Sequence, residues 1–112
     1  MKTIKIIEVI GTSSASLHTF GERVFEAVKA EIDNNEKVVL SFEGLTALTT
    51  GFLNASIGNL YFVFGDKLRD NFELQGVDKP KWQEKIQDAI TLGTDKELSK
   101  LHQETWDLAT SY

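Results

Sequence analysis

The sequence predicts an α/β protein, built as a small open sheet, mixed or parallel, of three to four strands flanked by helices. Three observations carry this expectation. Short apolar runs of strand length alternate with longer stretches whose apolar residues recur at helical spacing. Glycine, asparagine and aspartate stand at the joins between them. The chain of 112 residues, without linker or repeat, is of a size to form one domain, 1–112, around one core.

In chain order, Ile4 to Ile10 is rich in isoleucine and valine, is broken by Lys5 and Glu8, and runs into the turn residues Gly11-Thr12-Ser13-Ser14. It reads as a first strand. Leu17, Phe20, Val24, Ala27, Val28 and Ile32 fall on one helical face and predict a helix ending near Asn34-Asn35. Thr19 and Glu22 have capping-box spacing, with Ser14 or Ser16 as alternative starts. Lys37 to Phe42 follows, and its three consecutive apolar residues Val38-Val39-Leu40 predict a strand buried on both faces and central in the sheet.

After the turn at Glu43-Gly44, Leu45 to Leu48 leads to Thr49-Thr50-Gly51 and a helical segment running to about Phe64. Phe52, Leu53, Ile57, Leu60, Tyr61 and Phe64 make more than a narrow stripe, so this helix requires cover on more than one side. Gly65-Asp66 closes it. Phe72 to Gln75 alternates apolar and polar as a half-exposed edge strand does. Pro80 sits in the first turn of the next helix, where its missing N–H is harmless; Trp82, Ile86, Ala89 and Ile90 form the inward face and Gly93 is the stop. Thr94 and Glu97 have capping-box spacing again. They open an amphipathic final helix, about 95–110, with Leu98, Leu101 and Leu108 on one side and Trp106 beside them.

Composition removes several functions. There is no cysteine, and the two histidines, His18 and His102, have no metal-ligand spacing, so no metal and no cofactor is expected. A net charge of -5 without a basic run speaks against nucleic acid. The N-terminus lacks the apolar core of a signal peptide, and Leu60 to Phe64 falls far short of the ~20 residues that span a bilayer. A cytoplasmic protein without a membrane partner is expected.

The chemistry concentrates at Thr49-Thr50-Gly51, just beyond the carboxyl end of the central strand and at a helix start. Open α/β sheets place their ligands there, and backbone N–H groups at such a point receive phosphate or carboxylate. The same threonines serve equally as an N-cap and a turn residue. Elsewhere, Gly11 to Ser14 lacks the P-loop and dinucleotide patterns. Glu22/Glu26 and Asp95/Glu97 lie in charge-alternating, solvated stretches, His18 has only hydroxyl residues close in sequence with no acid placed beside it, and His102 lies on the polar side of the tail. Because no acid, base and nucleophile can be assembled, the chain is not expected to be an enzyme. Gly58 inside a helix costs about 1 kcal/mol relative to alanine, which close packing within the domain or against another chain explains.

Val38-Val39-Leu40-Ser41-Phe42-Glu43-Gly44-Leu45, then Leu48-Thr49-Thr50-Gly51-Phe52-Leu53, then Leu60-Tyr61 resembles the STAS-like family of unknown function, DUF4325, from the first helix through the Pro80 helix. That family is similar in turn to the STAS domains of anti-sigma-factor antagonists. The resemblance implies an α/β fold and a bacterial regulatory module that binds a protein partner, such as a histidine-kinase-like ATPase or another regulator. It implies switching of partners on phosphorylation of an Asp-Ser-Ser/Thr-Gly motif at its first hydroxyl. The acceptor is Thr49 if Thr-Thr-Gly matches Ser-Ser-Gly, or Thr50 if Leu40 to Leu53 is matched without a gap; Leu48 or Thr49 then stands where the motif has aspartate. The other reading is a small-molecule or nucleotide-binding domain, or a small enzyme, with its pocket near Thr49 to Gly51. Homo-oligomerisation through the C-terminal helix is compatible with either.

Overall fold

A computed structural model describes residues 1–94. The expected C-terminal helix of 95–110, with His102, Trp106 and the Asp95/Glu97 pair, lies outside the described residues. Three strands, β1 (Lys2–Lys5), β3 (Val38–Ser41) and β5 (Phe72–Gln75), form a parallel sheet in the order β1-β3-β5. The Val-Val-Leu strand is therefore central and Phe72–Gln75 is an edge. Ile4, Leu40 and Leu74 are lateral partners, as are Thr3, Val39 and Glu73. Side chains alternate across a sheet, so the first row faces the helices and the second the opposite side. All four residues of β3 are buried, and its Val38 and Leu40 enter the main core.

The N-terminal apolar run divides. Its strand stops at Lys5, and Ile6–Ile10 is a short helix, α1, ended by Gly11 in the left-handed conformation (φ 73°), whose N–H bonds to the Ile7 carbonyl. Ile6 and Ile10, one turn apart, are both buried, so the core is met at helical spacing. A second parallel pair, β2 (Ser14–Ala15) with β4 (Ala47–Leu48), forms a separate two-stranded sheet. Between β2 and β3 in the chain runs α2 (His18–Asp33), with Val24, Phe25, Val28 and Ile32 buried. Its N-cap is Leu17, with no side-chain cap bond, so neither the Thr19–Glu22 capping box nor the serine starts form. Leu17 is 52% exposed and does not belong to the inward face.

The middle helical run is continuous but changes pitch. Thr50–Leu53 is α-helical (α3), Asn54–Gly58 is a π-helical turn, and Asn59–Phe64 is α-helical again (α4). Ser56, buried within the wide turn, donates its hydroxyl to the Phe52 carbonyl at 2.8 Å. Phe52, Leu53, Ile57 and Leu60 are fully buried because the run is gripped from two sides. On one side is α2, where a Cβ on Gly21 would strike the Phe52 carbonyl oxygen and the Ala55 Cβ. On the other is α5 (Pro80–Thr94), where a Cβ on Gly93 would strike the Gly58 carbonyl. Gly58 thus answers to close packing inside the domain, and Gly93 is a buried contact within α5 rather than its stop. Thr94 likewise belongs to α5, its hydroxyl donating to the Ile90 carbonyl at 2.9 Å, and the rest of the expected Thr94–Glu97 capping box lies outside the described residues.

Tyr61 of α4 meets Phe72 of β5 edge-on, with ring centroids 6.4 Å apart. Burial raises its phenol above the ordinary 10.0. A raised phenol keeps its proton longer in the folded state than in the unfolded chain, so this group is neutral to stability at pH 7. Its contribution turns unfavourable as pH rises through the unfolded value. Tyr61→Phe is expected to lose less stability than the wild type between about pH 9 and about pH 11, read by denaturant unfolding. Equal losses would refute the assignment.

Candidate functional site

The site forms where β2 and β4 lie side by side at the start of the middle helical run. From Gly11 to Leu17 and again from Gly44 to Gly65 the chain carries no charged residue, although charged residues are 26% of the whole. Parallel pairing brings these two neutral stretches together. The Ser13 and Thr46 hydroxyls lie 3.0 Å apart, and the Thr46 N–H donates to the Ser13 carbonyl at 2.8 Å. One step further, the Thr49 N–H donates to the Ala15 carbonyl at 3.1 Å. The result is a ridge of hydroxyls.

The two threonines have separate tasks. Thr49 is the N-cap of α3: its Oγ1 accepts from the Phe52 N–H at 3.3 Å and donates to the Ser16 carbonyl at 3.2 Å. One hydroxyl thereby caps the helix and ties it to the β2 segment. Thr50 is the first helical residue and is exposed, and its hydroxyl bonds to no other described residue. Gly51 is half-buried, and a Cβ there would meet nothing within 4 Å, so the helix start is open on that side. From α5, the Lys85 ammonium donates to the Leu48 carbonyl at 3.2 Å, bringing one cation to the edge of the neutral region. Leu17 follows Ser16 directly, so an exposed apolar side chain flanks the threonines.

The family model described as a STAS-like domain of unknown function (DUF4325) matches residues 21–82, more than half of the chain. The chain belongs to that family. The matched region of this STAS-like domain runs from α2 into the start of α5 and includes all three residues of the Thr49–Gly51 step. Neither the search of curated proteins nor that of solved structures gave a match.

Several residues of the STAS-like domain take places that spacing did not reveal. His18 does have an acid beside it, for its Nε2 lies 2.9 Å from Glu22 Oε1 one helical turn on. Glu22 therefore pairs with the imidazole. Leu17, Ser16, Thr46 and Lys85 join the site only through tertiary contacts. The sequence signal that points to Leu17, Ser16 and Thr46 is the pair of charge-free stretches, whereas Lys85 carries none. Among the described residues, no helix is long and apolar enough to cross a membrane.

The division of labour is testable. Thr49→Val keeps the shape but removes both hydroxyl bonds, and is expected to destabilise the domain by about 1 kcal/mol, as loss of an N-cap does. Thr50→Val is expected to stay within about 0.5 kcal/mol of wild type, as exposed substitutions do. Urea midpoints of the two variants measure this, and the reverse order would show that the roles are exchanged.

Proposed function

We propose that this STAS-like domain acts as a regulatory protein-binding module rather than as a catalyst, and that its partner docks on the neutral ridge around Thr50. One observation carries the reading. Thr50 offers an exposed hydroxyl, unengaged by other described residues, at the start of a helical run and within the charge-free stretch Gly44 to Gly65, which pairs with the charge-free stretch that ends in the bare Leu17. Interface cores are depleted in charge, and an apolar anchor ringed by short polar groups is their usual composition.

Phosphorylation of Thr50 is the control step in this proposal. The exposed hydroxyl favours the ungapped register over Thr49, whose Oγ1 is occupied on both its donor and acceptor sides. The helix start stabilises added negative charge by roughly 0.3–1 kcal/mol, so the fold tolerates the modification. A partner surface shaped for a neutral hydroxyl does not.

Thr50→Glu is expected to leave the circular dichroism spectrum and melting temperature unchanged. It is expected to weaken capture of the native partner roughly tenfold or more, as a charge placed in a neutral interface does. Leu17→Asp is expected to do the same. Full capture by both variants would place the interface elsewhere, and intact mass of protein from its own host tests the phosphoryl group separately.

A further inference from the structure

At the opposite end of the middle helical run from Thr50 lies a shallow depression lined by the apolar Tyr61, Val63 and Phe64 and by a lip of Asp66, Lys67 and Arg69 that is basic by one charge. Val63 is 49% exposed, a large apolar side chain in the open. Arg69 is paired with Asp66 at 3.7 Å, whereas Lys67 reaches only the Phe64 ring, 5.9 Å from its centroid, and makes no ion pair with a described residue. Thr94 also lines the depression. The described residues therefore end, at Thr94, in the wall of the depression itself.

We infer that the occupant of this depression is the chain's own segment 95–112, seated by Leu98 and Leu101 on Val63 and Phe64. Four observations favour this occupant. The segment begins at the wall, so it needs no reach. Its leucines are three residues apart, the spacing at which two side chains share a helical face. Asp95, Glu97, Glu104 and Asp107 outnumber Lys96 and Lys100, giving it the sign opposite to the Lys67 lip. Attachment in the same chain raises its local concentration to the millimolar range, ahead of any second copy at ordinary protein concentrations.

The chain has no native cysteine, so introduced pairs report without background. In the full chain, Val63→Cys is combined with Leu98→Cys or Leu101→Cys and oxidised, with Ser16→Cys plus Leu101→Cys as the comparison pair. At least one Val63 pair is expected to close within a single chain roughly tenfold faster than the comparison pair, since a disulfide forms only when the Cα atoms come within about 7 Å. Leu101→Asp in the otherwise unaltered full chain is expected to speed amide exchange of residues 61–68. Disulfides formed only between copies would assign the depression to a second chain. Closure no faster than the comparison, or amide exchange unchanged by Leu101→Asp, would overturn the proposal outright.

Discussion

Gly93→Val is expected to remove about 3 kcal/mol or more of stability, a large part of what a domain of this size possesses. The reason is local and steric. Gly93 packs against the Gly58 carbonyl, and even the Cβ of alanine would strike that oxygen and crowd the Gly58 carbonyl carbon and Tyr61 Cβ. The two Gly58 atoms are backbone of the π-helical turn and cannot rotate away, so α5 must separate from the middle run. Gly21→Val is expected to act in the same way from the α2 side, against the Phe52 carbonyl and Ala55. Gly51→Ala is the control. Its Cβ meets nothing within 4 Å, and the gain in helix propensity is expected to leave stability unchanged or raise it by up to about 1 kcal/mol. Thermal and urea unfolding of the three variants measure the contrast, and equal effects would show that the close crossings do not hold the helices together.

Leu40→Asp is expected to unfold the domain. Leu40 is fully buried in the middle of the sheet, between Ile4 and Leu74 on its neighbouring strands. A carboxylate there would replace apolar contacts with an unpaired charge, at a cost of several kcal/mol that approaches the total stability. Leu40→Ala is expected to remain folded with a loss of about 2–5 kcal/mol, and substitution of the exposed Glu73 by lysine to change little. A cooperative melt of Leu40→Asp close to that of wild type would show that the sheet centre lies elsewhere.

Much of this architecture was legible because burial repeats with a simple period. The unbroken Val38-Val39-Leu40 run identified the central strand, and the alternation in Phe72–Gln75 identified an edge. What escaped depends on contacts between segments remote in sequence. Ile4 to Ile10 carries apolar residues at both strand and helix spacing, and the Gly11 turn with the core beneath Ile6 and Ile10 decides for a helix after Lys5. Two residues each of β2 and β4 are too short to show a period at all. The π-helical turn coincides with the buried Ser56 hydroxyl and the close crossings at Gly21, Gly58 and Gly93, of which only Gly58 stood out in the sequence as a packing contact. The Thr49–Gly51 step was visible as a place, but only geometry separated the capping threonine from the exposed one.

The strand order also bears on how the chain survives its own synthesis. β3 must pair on both sides, and the partner on its second side, β5, is made last of the three. Until Phe72–Gln75 has emerged and paired, Val38-Val39-Leu40-Ser41 presents an unpaired row of amides and carbonyls beside apolar side chains. Such an edge templates pairing with neighbouring nascent chains. Stalled or clipped products ending before Phe72 are therefore the aggregation-prone species of this protein. Chains truncated before Phe72 are expected to sediment on expression where the full chain stays in solution, an outcome set by how quickly the edge at β3 is closed rather than by the stability of the finished fold.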